Sequence, residues 1–175
     1  MSTSSSPTAP DSGDGKADSA QLKALQAALA DQLAAVYGYG VVGGRVDAAR
    51  KSEALAAYDA HRARRDELAR SVKDLGGTPV VAAAGYALPF AVPDSAAAVR
   101  LAAELEERVA GVYSDLVRAT SGARRASAAT ALRDAAVRAV RWSGESVAFP
   151  GLAERTAAAG PTAPAAPSAS TAPRT

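Results

Sequence analysis

The chain has 175 residues, enough for one domain with a hydrophobic core, and its charges nearly balance at 20 Lys and Arg against 18 Asp and Glu. A net charge of +2 does not indicate a nucleic-acid-binding protein, which needs a concentrated basic surface. The absence of cysteine excludes disulfides, thiolate metal sites and cysteine nucleophiles.

The composition favours an all-α protein. Hydrophobic residues make up 48% of the chain, many of them alanine, and aromatic residues only 5%. Alanine is the best helix former, and β-branched residues are sparse. The first residues lack the basic start and apolar stretch of a secretory signal, and no apolar run is long enough to cross a bilayer. We therefore expect a cytoplasmic protein with disordered tails over 1–18 and 156–175.

Two helices are predicted before a long connection. Asp18 to Gln21 fits a capping box, and leucines follow it at helical spacing to about Val42, where Gly43-Gly44 would stop the helix. Asp47 can cap a second helix that runs to Leu75 and stops at Gly76-Gly77.

Two further helices follow the connection. Residues 78–93 contain three prolines and no helical period. Asp94 or Ser95 then caps a third helix, and Ser121-Gly122 precedes a fourth from roughly Ala123 to Trp142. The segment 146–155 is expected to be an ordered strap on the bundle, anchored by Phe149 and Leu152.

The lengths of the connections predict the topology. Short turns make each helix pair an antiparallel hairpin, whereas the pairs are joined by about sixteen residues. Ferritin-like bundles need such a crossover and plain up-down bundles do not. We therefore predict a ferritin-like four-helix bundle of two hairpins over residues 19–155.

A weak internal repeat agrees with this topology. The stretch DQLAAVYGYG at 31–40 returns as ERVAGVYSDL at 107–116, an offset of 76. The same offset aligns residues 61–65 with residues 137–141. A duplicated helix hairpin would produce both matches.

A di-metal centre is the sharpest functional possibility for such a bundle. It takes a Glu from each of two helices and Glu-x-x-His from each of the other two. The second helix has Tyr58 and His61 at the Glu-x-x-His positions, and the fourth has Asp134 and Val137. With one histidine in the chain, two imidazole ligands cannot come from one subunit, although a dimer could pair two His61 side chains. We expect no di-metal centre.

The candidate single carboxylates are Asp31 on the first helix and Glu107 on the third. At 100° per residue, both fall opposite the leucine stripes and are expected to face water. Gln32 and Arg108 lie nearer the core. The remnant metal positions are thus Asp31, His61, Glu107 and Asp134.

His61 lies on the apolar face of the second helix and has three interpretations. The first is a core histidine bonded to a neighbouring polar group. The second is a ligand-binding cluster of Gln32, Tyr58, His61 and Arg65. The third is a single iron, manganese or zinc ion held by His61.

Other residues have simpler explanations. Tyr37, Tyr39 and Tyr113 are expected to fill the core with bonded hydroxyls. Gly38 and Gly40 suit close helix contact. The five arginines of the fourth helix, at positions 124, 125, 133, 138 and 141, fit a solvated face better than a nucleic-acid surface.

Four sequence motifs, taken together, resemble those of one family. VYGYGVVGGRV, YDAHRARRD, YALPF and FPGLAER are similar to an uncharacterised ferritin-like family of high-GC bacteria, over roughly residues 20–155. The resemblance implies the four-helix fold and no established activity. It also implies that a Glu-His pair has become Asp31-Gln32 here.

The sequence thus predicts a binding or interaction protein rather than an enzyme, with an unidentified protein partner or self-association, no resident cofactor and no membrane contact. The alternative is a degenerate metal-binding protein, for iron handling or oxidoreduction, that uses His61. Weak nucleic-acid binding through the fourth helix ranks third.

Overall fold

The computed structural model describes residues 12–145, which form a four-helix bundle without strands in that range. The helices are α1 (Ser12–Arg45), α2 (Lys51–Asp74), α3 (Ser95–Ala119) and α4 (Gly122–Ser143). Close packing joins α1 to α2, α1 to α3, and α3 to α4. The predicted all-α bundle of two hairpins with a long crossover is confirmed.

Helix α1 is longer than the sequence predicted at both ends. It already includes Asp18, which therefore does not cap it, and residues 12–18 of the expected tail are helical. It also runs through Gly43 and Gly44 to Arg45. Both predicted boundaries were wrong. At the second boundary, a glycine within a helix costs only about 1 kcal/mol, and burial of Val42 and Val46 can offset that cost.

The remaining helix ends follow local chemistry. Asp94 caps α3, since its carboxylate accepts a hydrogen bond from Ala97 N at 2.8 Å. Asp47 precedes a 3₁₀ turn, Ala48–Arg50, that leads into α2. Gly76 and Gly144 follow α2 and α4 with φ of +74° and +76°, values that glycine adopts without steric strain.

The crossover contains no helix over 78–93, as predicted. The Gln26 side chain fastens its start to α1, donating to Thr78 O at 2.6 Å and accepting from Val80 N at 3.0 Å. The rings of Tyr37 and Tyr86 lie 5.6 Å apart. Tyr37 is 40% exposed, so the prediction that it fills the core was wrong.

The hydrophobic core forms two clusters along the bundle. One includes Leu29, Val72 and Val109, and the other includes Val42 and Leu101. Positions 61, 106 and 138 lie between these clusters along their helices. A polar layer therefore divides the core.

The predicted strap at 146–155, with Phe149 and Leu152, and the tail at 156–175 lie outside the described residues. No helix in the described part of the chain is long and apolar enough to span a membrane.

Candidate functional site

The polar layer receives one side chain from each helix: Gln32 from α1, His61 from α2, Glu106 from α3 and Arg138 from α4. The first three are at most 1% exposed. The Arg138 side chain is 21% exposed and reaches the layer from the edge of the bundle. Four elements distant in sequence thus build a single hydrogen-bonded cluster.

Glu106 is the centre of this cluster. Its Oε1 accepts hydrogen bonds from Tyr39 Oη at 2.6 Å and from Arg138 Nε at 2.6 Å. His61 Nε2 lies 3.0 Å from the same oxygen. Because an ionised carboxylate only accepts, Nε2 carries the proton and donates it.

The other imidazole nitrogen, His61 Nδ1, is 2.9 Å from the Gln32 side-chain oxygen. With Nε2 protonated, Nδ1 bonds the Gln32 oxygen only if it is protonated as well, and otherwise it accepts from the Gln32 amide nitrogen once that amide is turned by 180°. Either arrangement gives both ring nitrogens a protein partner. A metal ion needs a free nitrogen lone pair, and Nε2 has none while it donates to Glu106.

The electrostatics of the pair favour charge. Burial raises the pKa of Glu106, but the hydrogen bonds and charges of His61 and Arg138 outweigh burial and hold that pKa below its usual value. For Arg138, burial lowers the pKa, and the charge of Glu106 more than reverses the effect. The cluster therefore contains an ionised Glu106–Arg138 pair at neutral pH.

Aromatic rings close the cluster on one side. The Tyr39 ring stacks on His61 with 4.9 Å between centroids and lies 6.4 Å from the ring of Trp142. The guanidinium of Arg50 covers the Trp142 ring at 4.0 Å. Burial and the adjacent carboxylate raise the pKa of Tyr39, so its hydroxyl remains a proton donor.

Asp31 does not face water, contrary to the prediction. It is 7% exposed, and its Oδ1 accepts from Arg108 Nε at 2.7 Å. Arg108 is itself mostly exposed, so the prediction that it lies near the core was also wrong. Burial raises the pKa of Asp31 despite this ion pair, since the charge of the exposed guanidinium is screened by water.

Four other candidate residues lie outside the central cluster. Glu107 is half-buried, and Asp134 lies 3.6 Å from Arg64 at the surface. Arg65 pairs with its neighbour Asp66 at 2.8 Å. Tyr58 is half-buried beneath Arg62. The proposed ligand cluster thus keeps Gln32 and His61 together, whereas Arg65 pairs elsewhere.

Sequence reasoning missed Glu106 and Arg138. The sequence offset of 76 aligns Gln32 with Arg108 and His61 with Val137. In the structure, Gln32 and His61 lie in one cluster with Glu106 and Arg138 instead. The sequence signal that could have found Glu106 is helical spacing, because Glu106 follows Leu105 and lies three positions before Val109, next to the apolar stripe of α3.

The residues present do not fit a di-metal centre. Such a centre requires several carboxylates and two imidazoles. The layer offers one carboxylate, one imidazole, one amide and one guanidinium, and the guanidinium is a cation that repels metal ions. Among the described residues, no group of three His, Cys, Asp or Glu side chains could hold a metal ion.

Within residues 12–145, the α2–α4 side of the bundle is open. These helices are not a closely packed pair, and polar side chains bridge them instead. Ser127 donates to Glu67 at 2.8 Å, and Arg64 lies 2.8 Å from Glu67. Two cavities, of about 330 and about 290 Å³, lie along this side and share Arg64, Glu67 and Tyr113 in their walls.

Comparison with known proteins identifies the family but no activity. A crystal structure of a conserved hypothetical protein, rv2844, from Mycobacterium tuberculosis is 38% identical, with a TM-score of 0.69, and the match covers 71% of this chain and 95% of that one. A ferritin-like, diiron-carboxylate protein from Bacillus anthracis str. Ames is 17% identical, with a TM-score of 0.57 and coverage of 71% and 91%. The second likeness supports the ferritin-like fold alone.

No curated protein matches the sequence. A family model described as "Domain of unknown function (DUF4439)" matches residues 24–154. The chain therefore belongs to the DUF4439 family, and its fold is the ferritin-like four-helix bundle that the sequence predicted.

Proposed function

We propose that this protein is a metal-independent binding module, in which an internal ion pair occupies the layer where related bundles hold metal ions. The observation that carries the proposal is the 2.6 Å contact of Arg138 Nε with the fully buried Glu106 Oε1. The Arg138 guanidinium supplies the positive charge that a carboxylate needs when it is buried.

The composition of the layer supports a structural role for it. Tyr39, His61 and Arg138 all direct protons at one carboxylate oxygen, so its negative charge is already compensated. Tyr39 and His61, the two groups that could act as nucleophiles, both direct their polar atoms at Glu106. The binding surface would be the open α2–α4 side, where the helices leave two cavities beside the layer.

Thermal unfolding with added metal tests this proposal. Full-length protein is melted with and without Fe(II) under anaerobic conditions, Mn(II) or Zn(II). We expect an unchanged melting temperature, since a ligand stabilises the folded state only when it binds that state. An increase that follows metal concentration and disappears in His61→Ala would overturn the proposal.

A variant designed to gain metal binding serves as a positive comparison in this experiment. Gln32→Glu combined with Arg138→His adds a carboxylate and an imidazole to the layer and removes the cation. We expect this variant to melt at a higher temperature when metal is added. Arg141→His, an exposed position on the same helix, is the matched control and should not respond.

A single-ion site on His61 remains the second hypothesis, because one observation favours it. Glu106 Oε2 is buried and has no hydrogen-bond partner among the described residues. A carboxylate oxygen in that position could bind a cation, with His61 Nε2 as a further ligand if the imidazole proton lies on Nδ1 and is donated to the Gln32 oxygen. Metal-dependent stabilisation that requires both Glu106 and His61 would support this hypothesis over the first.

A further inference from the structure

The smaller of the two cavities on the open α2–α4 side has an apolar floor. Leu25, Leu68 and Leu116 line it, with Ala128 from α4. Small side chains on α4 leave the space open, since a larger residue at position 128 would close the gap between the helices. A volume of about 290 Å³ corresponds to roughly ten water molecules at 30 Å³ each.

One buried polar group in the wall of this cavity has no hydrogen-bond partner in the part of the chain that the structure describes. Tyr113 is 3% exposed, and its hydroxyl makes no hydrogen bond with any described residue. The prediction that this hydroxyl is bonded within the core is therefore not met there. A buried hydroxyl without a partner is costly, and a ligand in the cavity would supply the missing partner.

The positive and negative charges at the cavity mouth do not cancel. Glu67 is already bound by Ser127 and Arg64, so its charge is compensated. Arg124 also lines the cavity, is exposed, and has no ion-pair partner in the described part of the chain. The mouth therefore offers one uncompensated positive charge.

We propose that this cavity binds a small monocarboxylate with an apolar body: the carboxylate accepts a hydrogen bond from the Tyr113 hydroxyl and is attracted by the charge of Arg124 at the mouth, and the body lies on Leu25, Leu68 and Leu116. The inference names the ligand class for the proposed binding module and rests on that proposal. The cavity volume suits about ten non-hydrogen atoms, as in an eight-carbon fatty acid.

Calorimetric titration of the full chain with octanoate, against 1-octanol as a neutral probe of equal length, tests the inference. We expect saturable binding of octanoate and at least several-fold weaker binding of 1-octanol. Tyr113→Phe should weaken octanoate binding by about 3- to 10-fold, the range for one hydrogen bond. Arg124→Gln should weaken it by about 2- to 5-fold, since the arginine is exposed.

Two further variants make the result specific to the cavity. Ser71→Leu, at a half-buried position in the wall, should abolish binding by filling the space. Arg141→Gln removes an exposed charge from α4 away from the cavity and should leave the affinity unchanged. Circular dichroism melts confirm that each variant folds.

The inference is overturned if octanoate does not bind, if it binds all four variants equally, or if 1-octanol binds as well as octanoate. Failure here is separable from failure of the proposed function, because metal-dependent melting reports on His61 and Glu106, which do not line this cavity.

Discussion

At the scale of single residues, Glu106 decides the chemistry of the interior. Its side chain is fully buried, and one of its oxygens accepts from three side chains, while the other has no hydrogen-bond partner among the described residues. Breaking a buried ion pair is far more costly than replacing both partners, because it leaves an uncompensated charge.

Glu106→Gln should therefore lower the free energy of unfolding by about 3–5 kcal/mol, the usual cost of removing one partner of a buried pair. The double variant Glu106→Gln/Arg138→Met should recover much of this loss, since no charge is then stranded. Urea denaturation at pH 7 measures both. Glu107→Gln, on the adjacent half-buried glutamate, is the control and should change the value by less than about 1 kcal/mol. Equal losses at 106 and 107 would contradict a central role for Glu106.

The contribution of Asp31 to stability depends on pH in the opposite direction from that of Glu106. Because burial raises the pKa of Asp31, its ionised form is disfavoured in the folded state, and folding gains stability as pH falls through that pKa. Because the pKa of Glu106 is lowered, its contribution is present above the unfolded value of 4.5 and is lost as pH falls through the folded pKa.

Asp31→Asn should thus raise the free energy of unfolding at pH 7, and the gain should shrink as pH falls toward 3. Urea denaturation of both proteins across this range measures the difference. A loss of stability at pH 7 would mean that the ion pair with Arg108 outweighs the burial of the carboxylate.

At the scale of the helices, the close contact of α1 with α3 depends on Gly38. A Cβ built at this position would lie 2.6 Å from Leu105 Cδ1, whereas one at Gly40 meets no atom within 4 Å. The prediction that both glycines serve close helix contact was therefore right for Gly38 and wrong for Gly40.

The two glycines form a matched pair of substitutions. Gly40→Ala should raise the free energy of unfolding by about 0.5–1 kcal/mol through helix propensity. The free energy of unfolding of Gly38→Ala should be at least about 1 kcal/mol lower than that of Gly40→Ala, because Leu105 must shift within a packed core. Chemical denaturation of the two variants measures the difference, and equal gains would show that α1 and α3 do not pack closely at Gly38.

Helix boundaries show what local sequence could predict. The start of α3 at Asp94 and the end of α2 before Gly76 follow from capping chemistry that acts within a few residues. The predicted start of α1 at Asp18 was wrong, because the helix begins at Ser12. Its predicted end at Gly43 was also wrong, since the buried Val42 and Val46 on either side of the two glycines outweigh the weak local signal. Local patterns therefore predicted the number and order of helices better than their lengths.

At the scale of the whole molecule, the topology followed from connection lengths, but the polar layer did not. Sequence reasoning identified Gln32 and His61 and missed Glu106 and Arg138. Which residues of four helices meet depends on helix rotation and axial shift, and a change of one or two positions turns a residue to a different face. Arg138 was also read as part of a solvated basic face, because arginine seldom enters a core unpaired.

The arrangement of the helices also separates two regions of the molecule. Three sides of the bundle pack closely around the polar layer, whereas the α2–α4 side is bridged by polar side chains. We infer that the closed sides maintain the structure and the open side binds. We propose above all that the polar layer needs no metal ion.

The most direct test is the metal content of full-length protein, purified without chelator and then loaded anaerobically with Fe(II), Mn(II) or Zn(II), measured by elemental mass spectrometry after removal of unbound ions. We predict far less than one ion per chain, with no difference between the protein and its His61→Ala variant. About one ion per chain, lost in His61→Ala, would contradict the account and make His61 and Glu106 the centre of a metal site.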